Sequence, residues 1–191
     1  MIRALIFDCF GVLYRDNIDM LYELVPFDKR QAVHDVIHAC DHGFISRSEY
    51  FDAIAELSGK TSDDIRELDK QQHSRNEQLI AYAKELKKDY KIGLLSNIGD
   101  ETMDQLFPVE ERTQLFDAFI LSSQVGIIKP AREIFELAAH ELGVASEECV
   151  MIDDLAKNVE GARMAGMQAL LFTNNRQFQS DLQIILEQDG A

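Results

Sequence analysis

The sequence predicts an α/β fold, a Rossmann-like, doubly wound parallel sheet of five strands carrying one inserted all-helical cap. Three observations lead there. Five short apolar runs lack period-two alternation, as strands buried on both faces of a parallel sheet do. Helical spacing of apolar residues separates the later runs, and alternation of strand and helix is the signature of a doubly wound sheet. The third is a single break in that rhythm, more than eighty residues between the first run and the second.

The runs are ALIF (4–7), IGLLS (92–96), FIL (119–121), CVMI (149–152) and ALLF (169–172). Between them, Ile134, Phe135, Ala138 and Leu142 share one helical face, as do Val159, Ala162 and Gly166. In the long gap, SRSE (46–49), TSDD (61–64) and SRNE (74–77) match the capping box that opens a helix by satisfying its free N–H groups. Gly43 and Gly59 fall where helices would end. A last helix with Leu79, Ala83 and Leu86 on one face leads back to the sheet. The expected division is therefore a core of residues 1–15 and 74–191 and a helical cap of residues 16–73.

At 191 residues and 46% hydrophobic composition, the chain can bury a core without disulfides. Its three cysteines, Cys9, Cys40 and Cys149, are odd in number and have no CxxC spacing, which fits a reducing compartment. The opening MIR runs straight into ALIF with no long hydrophobic stretch, so a cytoplasmic location and no membrane association are expected. A net charge of −15 excludes nucleic acid as a partner, because its backbone requires a basic surface. The same charge repels an anionic substrate, so a phosphate site needs positive charge of its own.

Ligands of open parallel sheets bind beyond the carboxyl ends of the strands. Those ends here are Asp8, then Ser96 and Asn97, then Ser122 and Ser123, then Asp153 and Asp154. Three acids at two strand ends repel one another unless a cation lies between them. Hard oxygen ligands with room for water suit magnesium, which takes a couple of carboxylates together with phosphate oxygens. The ion would let Asp8 attack phosphorus, with Lys129 neutralising the remaining charge.

Four segments carry a resemblance: FDCFGVL (7–13), LLSN (94–97), IKP (128–130) and MIDDLAKNVEGARMAG (151–166). In order and spacing they resemble the motifs of the haloacid dehalogenase superfamily. More loosely, HGFISRSEYF (42–51) is similar to a segment of the branch holding sugar 1-phosphate phosphatases and the phosphatase domain of epoxide hydrolases. The resemblance implies a hydrolase, most naturally a Mg2+-dependent phosphatase of small phosphorylated metabolites. It implies Asp8 as nucleophile and metal ligand, Ser96 as a hydrogen-bond partner of the phosphoryl group and Lys129 as its electrostatic stabiliser. Asp154, Asp153 and the Phe10 carbonyl complete the implied metal set. Asn97, Phe10 and Gly11 shape the substrate side, Gly11 by permitting a sharp turn.

Phe10 departs from the pattern. Most phosphatases of the superfamily carry a second aspartate there, which protonates the leaving group, and phenylalanine cannot. Two other readings arise from this departure. One is a 2-haloacid dehalogenase, whose first motif has an aromatic residue at this place but whose fourth looks like SSNxxD where this chain has IDDLAKN. The other is a silent protein that only binds a phosphorylated ligand.

His34, His38 and His42 recur every fourth residue. They could hold zinc from one helical face, or one of them could supply the missing proton from the cap. The plainer expectation is a polar helix face, with Gly43 ending the helix near His42. Cys9 is expected to point away from Asp8 into packing, and Arg132 and Arg163 to be solvated. Tyr14 and Arg15 could reach substrate at the cap hinge.

Overall fold

The computed structural model describes residues 1–15, 18–72, 74–98 and 100–189. The expected first and last cap residues, 16 and 73, and the terminal residues 190 and 191 lie outside them. Five strands, β1 (Ala4–Phe7), β2 (Lys91–Ser96), β3 (Ala118–Leu121), β4 (Cys149–Asp153) and β5 (Gln168–Leu171), pair in the order β3-β2-β1-β4-β5. Every pairing is parallel. Each strand lies within a residue or two of an apolar run; β1 and β4 are buried along their whole length, as the absence of polar alternation requires, whereas the edge strand β5 leaves Leu171 exposed.

Side chains alternate across each strand. Leu5 and Phe7 therefore join one core cluster with Ile92, Leu94 and Ile152, and Ala4 and Ile6 join another with Leu95 and Met151. Helices α5 (Glu77–Leu86) and α11 (Asn175–Asp189) cover the first face, through Leu79, Ala83, Phe178 and Leu182. Helices α9 (Arg132–Glu141) and α10 (Ala156–Met164) cover the second, through Ile134, Phe135, Val159 and Ala162.

Between β1 and α5 lie α1 (Ile18–Glu23), α2 (Arg30–Asp41), α3 (Arg47–Ser58) and α4 (Ser62–Gln72). They share a separate apolar cluster built on Leu21, Val33, Tyr50, Phe51, Ile54 and Ile65. Ser46 opens α3 with a complete capping box, its hydroxyl accepting from Glu49 N–H. Thr61 and Asp64 make the reciprocal pair that opens α4, and Gly59 ends α3 in the left-handed region.

The third expected box is absent. Asn76, not Ser74, caps α5, accepting from Leu79 N–H at 3.2 Å. Ser74 is drawn into extended pairing instead. Arg15 N–H donates to its carbonyl at 2.9 Å, Asn76 N–H donates to Leu13 at 2.9 Å, and Tyr14 and Arg75 form an antiparallel bridge. The two connections between the helical segment and the sheet are thus hydrogen-bonded to each other.

Five helices have no counterpart among the sequence patterns: α11, α1, α6 (Asp100–Leu106), α7 (Val109–Leu115) and the single turn α8 (Ser122–Val125). The four short ones have too few turns for periodicity to stand out. The last takes up Ser122 and Ser123. Ser122 donates to the Asp41 carbonyl at the end of α2, and Ser123 to the Ile98 carbonyl at 3.0 Å. This polar strand end fastens the helical segment to the sheet and does not line the cavity beyond the other strand ends.

Candidate active site

Asp8 follows β1, Asp153 ends β4, and Lys129 reaches between them from the loop before α9. Its ammonium lies 2.9 Å from Asp8 Oδ1 and 2.6 Å from Asp153 Oδ2. All three side chains are buried. Gly161 brings α10 against this loop, since a Cβ there would stand 2.6 Å from the Pro130 carbonyl oxygen. The lysine backbone is fixed by Asn97, whose Oδ1 accepts from Lys129 N–H at 2.9 Å and whose Nδ2 donates to its carbonyl at 3.3 Å. Asn97 thus braces the lysine loop from the end of β2.

Asp153 is saturated. Besides Lys129, it accepts from Leu155 N–H at 2.9 Å and from Asn158 Nδ2 at 2.9 and 3.1 Å. Burial opposes its charge, but Lys129 and these N–H groups outweigh it and hold the carboxyl below the usual range. For Lys129, burial would lower the ammonium, yet Asp8 and Asp153 together keep it above its ordinary value. Asp8 is the group left strained. Burial pushes its carboxyl up to about 8; Lys129 pulls the other way, and Asp153 and Asp154 add to the rise.

One oxygen each of Asp8, Asp153 and Asp154 can lie within 4.8 Å of the others, a set able to hold a metal ion. Gly11 makes this possible. With φ of 80° it turns the chain after β1, and a Cβ there would collide with the Asp154 carboxylate at 2.2 Å. Two further facts suit a hydrated hard cation. The donors are all carboxylate oxygens, the hard ligands such a cation takes. Asn158, turned toward Asp153 by its amide nitrogen, leaves Oδ1 buried with no partner, an acceptor for a water of such an ion.

Asp8, Lys129, Asp154 and Asn158 form the floor of a cavity of about 230 Å3, with Ser96, Phe10 and Asn97 also in its wall. Its roof comes from α1 to α4 and includes Arg47, Asp69, Tyr50, Asp41, His34 and His38. Every expected site residue except Gly11 and Asp153 lines the cavity, and those two lie against Asp154 and Lys129.

The secondary candidates divide. His34 and His38 border the cavity, whereas His42 does not. The His34 and His38 rings stack at 6.3 Å and those of His38 and His42 lie tilted at 4.5 Å, and among the described residues the metal-holding group is the aspartates and not the histidines. Cys9 packs in the core beside Phe7, and burial, then the neighbouring Asp8, raises its thiol far above the usual value. Tyr14 is also core, its hydroxyl donating to the Leu106 carbonyl, and neither it nor Arg15 lines the cavity. Arg132 pairs with Glu136 at 2.6 Å on an exposed helix face. Arg163 is likewise outside the cavity, donating to the Ala169 carbonyl at 3.0 Å.

Sequence reasoning assigns no role to three residues that the structure brings to the site. Asn158 stands inside the fourth motif, five positions after Asp153, where the next helical turn returns to the strand end. Arg47 lies inside a capping box, a pattern that accounts for its neighbours and says nothing of its side chain. Asp69 has no local signal at all.

With this geometry, the chain's similarity to known proteins takes on meaning. A family model described as haloacid dehalogenase-like hydrolase matches residues 2–166. The chain belongs to that family. It is 29% identical to a phosphatase of Mycobacterium tuberculosis over 139 residues, 68% of this chain and 63% of that protein. It is 39% identical to bifunctional epoxide hydrolase 2 of Mus musculus over 64 residues, 34% of this chain and 12% of the relative. The chain thus spans less than two thirds of either relative. Its fold matches that of a HAD family enzyme from Bacteroides thetaiotaomicron, crystallised with magnesium and inorganic phosphate, with a TM-score of 0.75. That match has 22% identity and covers 91% of this chain and 95% of the other. Among the described residues, no helix is long and apolar enough to cross a membrane.

Proposed function

We propose that this hydrolase is a magnesium-dependent phosphatase of a small phosphorylated metabolite, working through an aspartyl phosphate on Asp8. One observation carries the reading: three carboxylates whose ligand oxygens lie within 4.8 Å, with the Lys129 ammonium 2.9 Å from Asp8. A dehalogenase attacks carbon and has no need of this acidic set. The mycobacterial phosphatase and the Bacteroides enzyme with its magnesium and phosphate point the same way.

Asp8, Asp154 and the Phe10 carbonyl would hold the ion, with Asp153 behind them or acting through water. When bound, the ion supplies positive charge that lets an anionic phosphate approach a carboxylate and stabilises charge at phosphorus. Asp8 Oδ attacks phosphorus as the bond to the leaving alcohol's oxygen breaks, and water then attacks the same phosphorus to release phosphate and restore Asp8. Lys129, fixed by Asp153 and the Asn97-braced loop, stays at the equatorial oxygens throughout; Ser96 donates to them. Helices α1 to α4, within the 16–73 segment, act as a cap that excludes water from the intermediate and selects the alcohol.

Phe10 offers no proton, so the leaving alcohol departs with little assistance from the floor. The reading is tested by phosphate release from a panel of phosphomonoesters with and without magnesium, alongside chloride release from 2-chloropropionate. Release that requires magnesium and is lost in EDTA is the expected result. Chloride release without metal, and no phosphate from any ester, would replace it with the dehalogenase reading.

A further inference from the structure

The roof carries more charge than packing requires. Arg47, the first residue of α3, places its guanidinium 2.7 Å from Asp69 Oδ2 and over the rings of Tyr50 and Phe51, at 4.4 and 4.6 Å. The Arg47 and Asp69 side chains are only 18% and 6% exposed. A charge pair drawn this far out of water is no more stabilising than apolar side chains of the same volume. The surrounding cluster of Leu21, Val33, Ile54 and Ile65 is apolar packing of that kind. The pair stands in that packing nonetheless, and both residues line the cavity that Asp8 and Lys129 also line.

A guanidinium has five N–H donors in a rigid fork. Asp69 accepts a hydrogen bond from one of its nitrogens, and the two rings fix the plane of the fork. Asp41 lines the same wall, with His34 and His38 beside it, and Lys157 of α10 lines the cavity from the sheet side. The carboxylates and guanidinium of the roof are therefore two against one.

We infer that Arg47 and Asp69 recognise the alcohol portion of the substrate, and that this portion is an uncharged, hydroxyl-bearing group with no second phosphate or carboxylate. The inference rests on the phosphatase reading and narrows its substrate class. A hydroxyl accepts from Arg47 and donates to a neighbouring carboxylate, satisfying both members of the pair. A second anion gains from Arg47 but faces two carboxylates. An alkyl alcohol displaces water from the pair and returns no hydrogen bond, the situation that sites built for hydroxyls reject.

The test compares kcat/KM of the full chain with magnesium on a hexose 6-phosphate, 6-phosphogluconate and n-hexyl phosphate. All three are six-carbon primary esters, so the leaving oxygen is alike and the remainder differs. The hexose ester is expected to exceed each of the others by about 30-fold or more. Asp69→Asn and Asp41→Asn should each raise the gluconate-to-hexose ratio about tenfold, by removing one negative charge from the wall. Arg47→Met should lower the hexose-to-hexyl ratio about tenfold. Partial unfolding scales all three rates together and moves no ratio. Asp41→Asn leaves the ion pair in place, so it decides the matter where Asp69→Asn fails to fold. Hydrolysis without preference, or ratios unmoved in the variants, overturns the inference alone. No release from any phosphate ester overturns the phosphatase reading and the inference with it.

Discussion

The floor and the roof of the cavity each hold a buried cation against carboxylates, but they are built by different means. On the floor, Lys129 meets Asp8 and Asp153 at the ends of paired strands. Register sets the distance between those acids, and it cannot change without breaking the ladder between β1 and β4. On the roof, Arg47 and Asp69 come from α3 and α4 and meet only because two helices pack. The lesson is a division of labour. Under the proposed phosphatase reading, bond making falls to positions that the sheet fixes, and selection to positions that helix packing can revise.

The largest expected effect lies on the floor. Asp8→Asn should reduce phosphate release by at least about 10^4-fold, since an amide cannot form the covalent intermediate. Circular dichroism should report an unchanged fold. A purified variant that keeps its rate within tenfold would break the comparison, because the chemistry would then lie outside the strand ends.

Lys129→Ala should follow closely, about 10^3-fold in kcat. It also leaves Asp8 and Asp153 buried without their shared cation. Urea denaturation should therefore register a loss of about 3–5 kcal/mol, the usual result of removing one partner of a buried pair. An unchanged urea midpoint would mean that the carboxylates do not depend on the lysine.

Phe10→Asp sharpens the comparison from the other side, by restoring a proton donor to the floor. Hydrolysis of an alkyl phosphate should rise about tenfold, while an aryl phosphate changes little because phenolate leaves unaided. Equal rates on both esters in the wild type, and no gain in the variant, would move the donor to the roof. Single replacements of His34 and His38 by glutamine would then identify it.

The smallest effect concerns stability without metal. Asp8 is pushed from an ordinary 3.8 to about 8 in the folded chain, so the native state holds its proton more tightly than the unfolded one. Stability from this group is then lost as pH climbs between those values. In EDTA, Asp8→Asn should melt higher than wild type at pH 9 and converge with it below about pH 4. A difference that stays flat with pH would show that burial does not disfavour the Asp8 charge.

The floor is legible in the sequence because each of its strand-end residues adjoins an apolar run, and a parallel sheet gathers the carboxyl ends of its strands at one edge. Asp8, Ser96 and Asp154 stand out on that ground, and Lys129 through the motif that carries it. The role of Asp153 is less visible, for nothing in the spacing tells which of two adjacent acids turns inward to the lysine. The roof is not legible. Arg47 and Asp69 are separated by a helix and a turn, and their meeting depends on a crossing that periodicity does not encode. Ser74 misleads because its local pattern fits a cap, while its backbone is claimed by a partner some sixty residues away.

That pairing has a consequence for the design of the chain as a whole. Because Leu13 to Arg15 lie alongside Ser74 to Asn76 in an antiparallel ribbon, the sheet receives the intervening segment through a single socket. The occupant of the socket is immaterial to the closure of the sheet, since the ribbon already brings the two strands of the socket together. A two-residue turn of the Asn-Gly kind could seal it as a hairpin, and a helical bundle of another size could be seated in it. Under the phosphatase reading, one nucleophile could thereby serve unrelated substrates by exchange of a module, with no residue of the sheet altered.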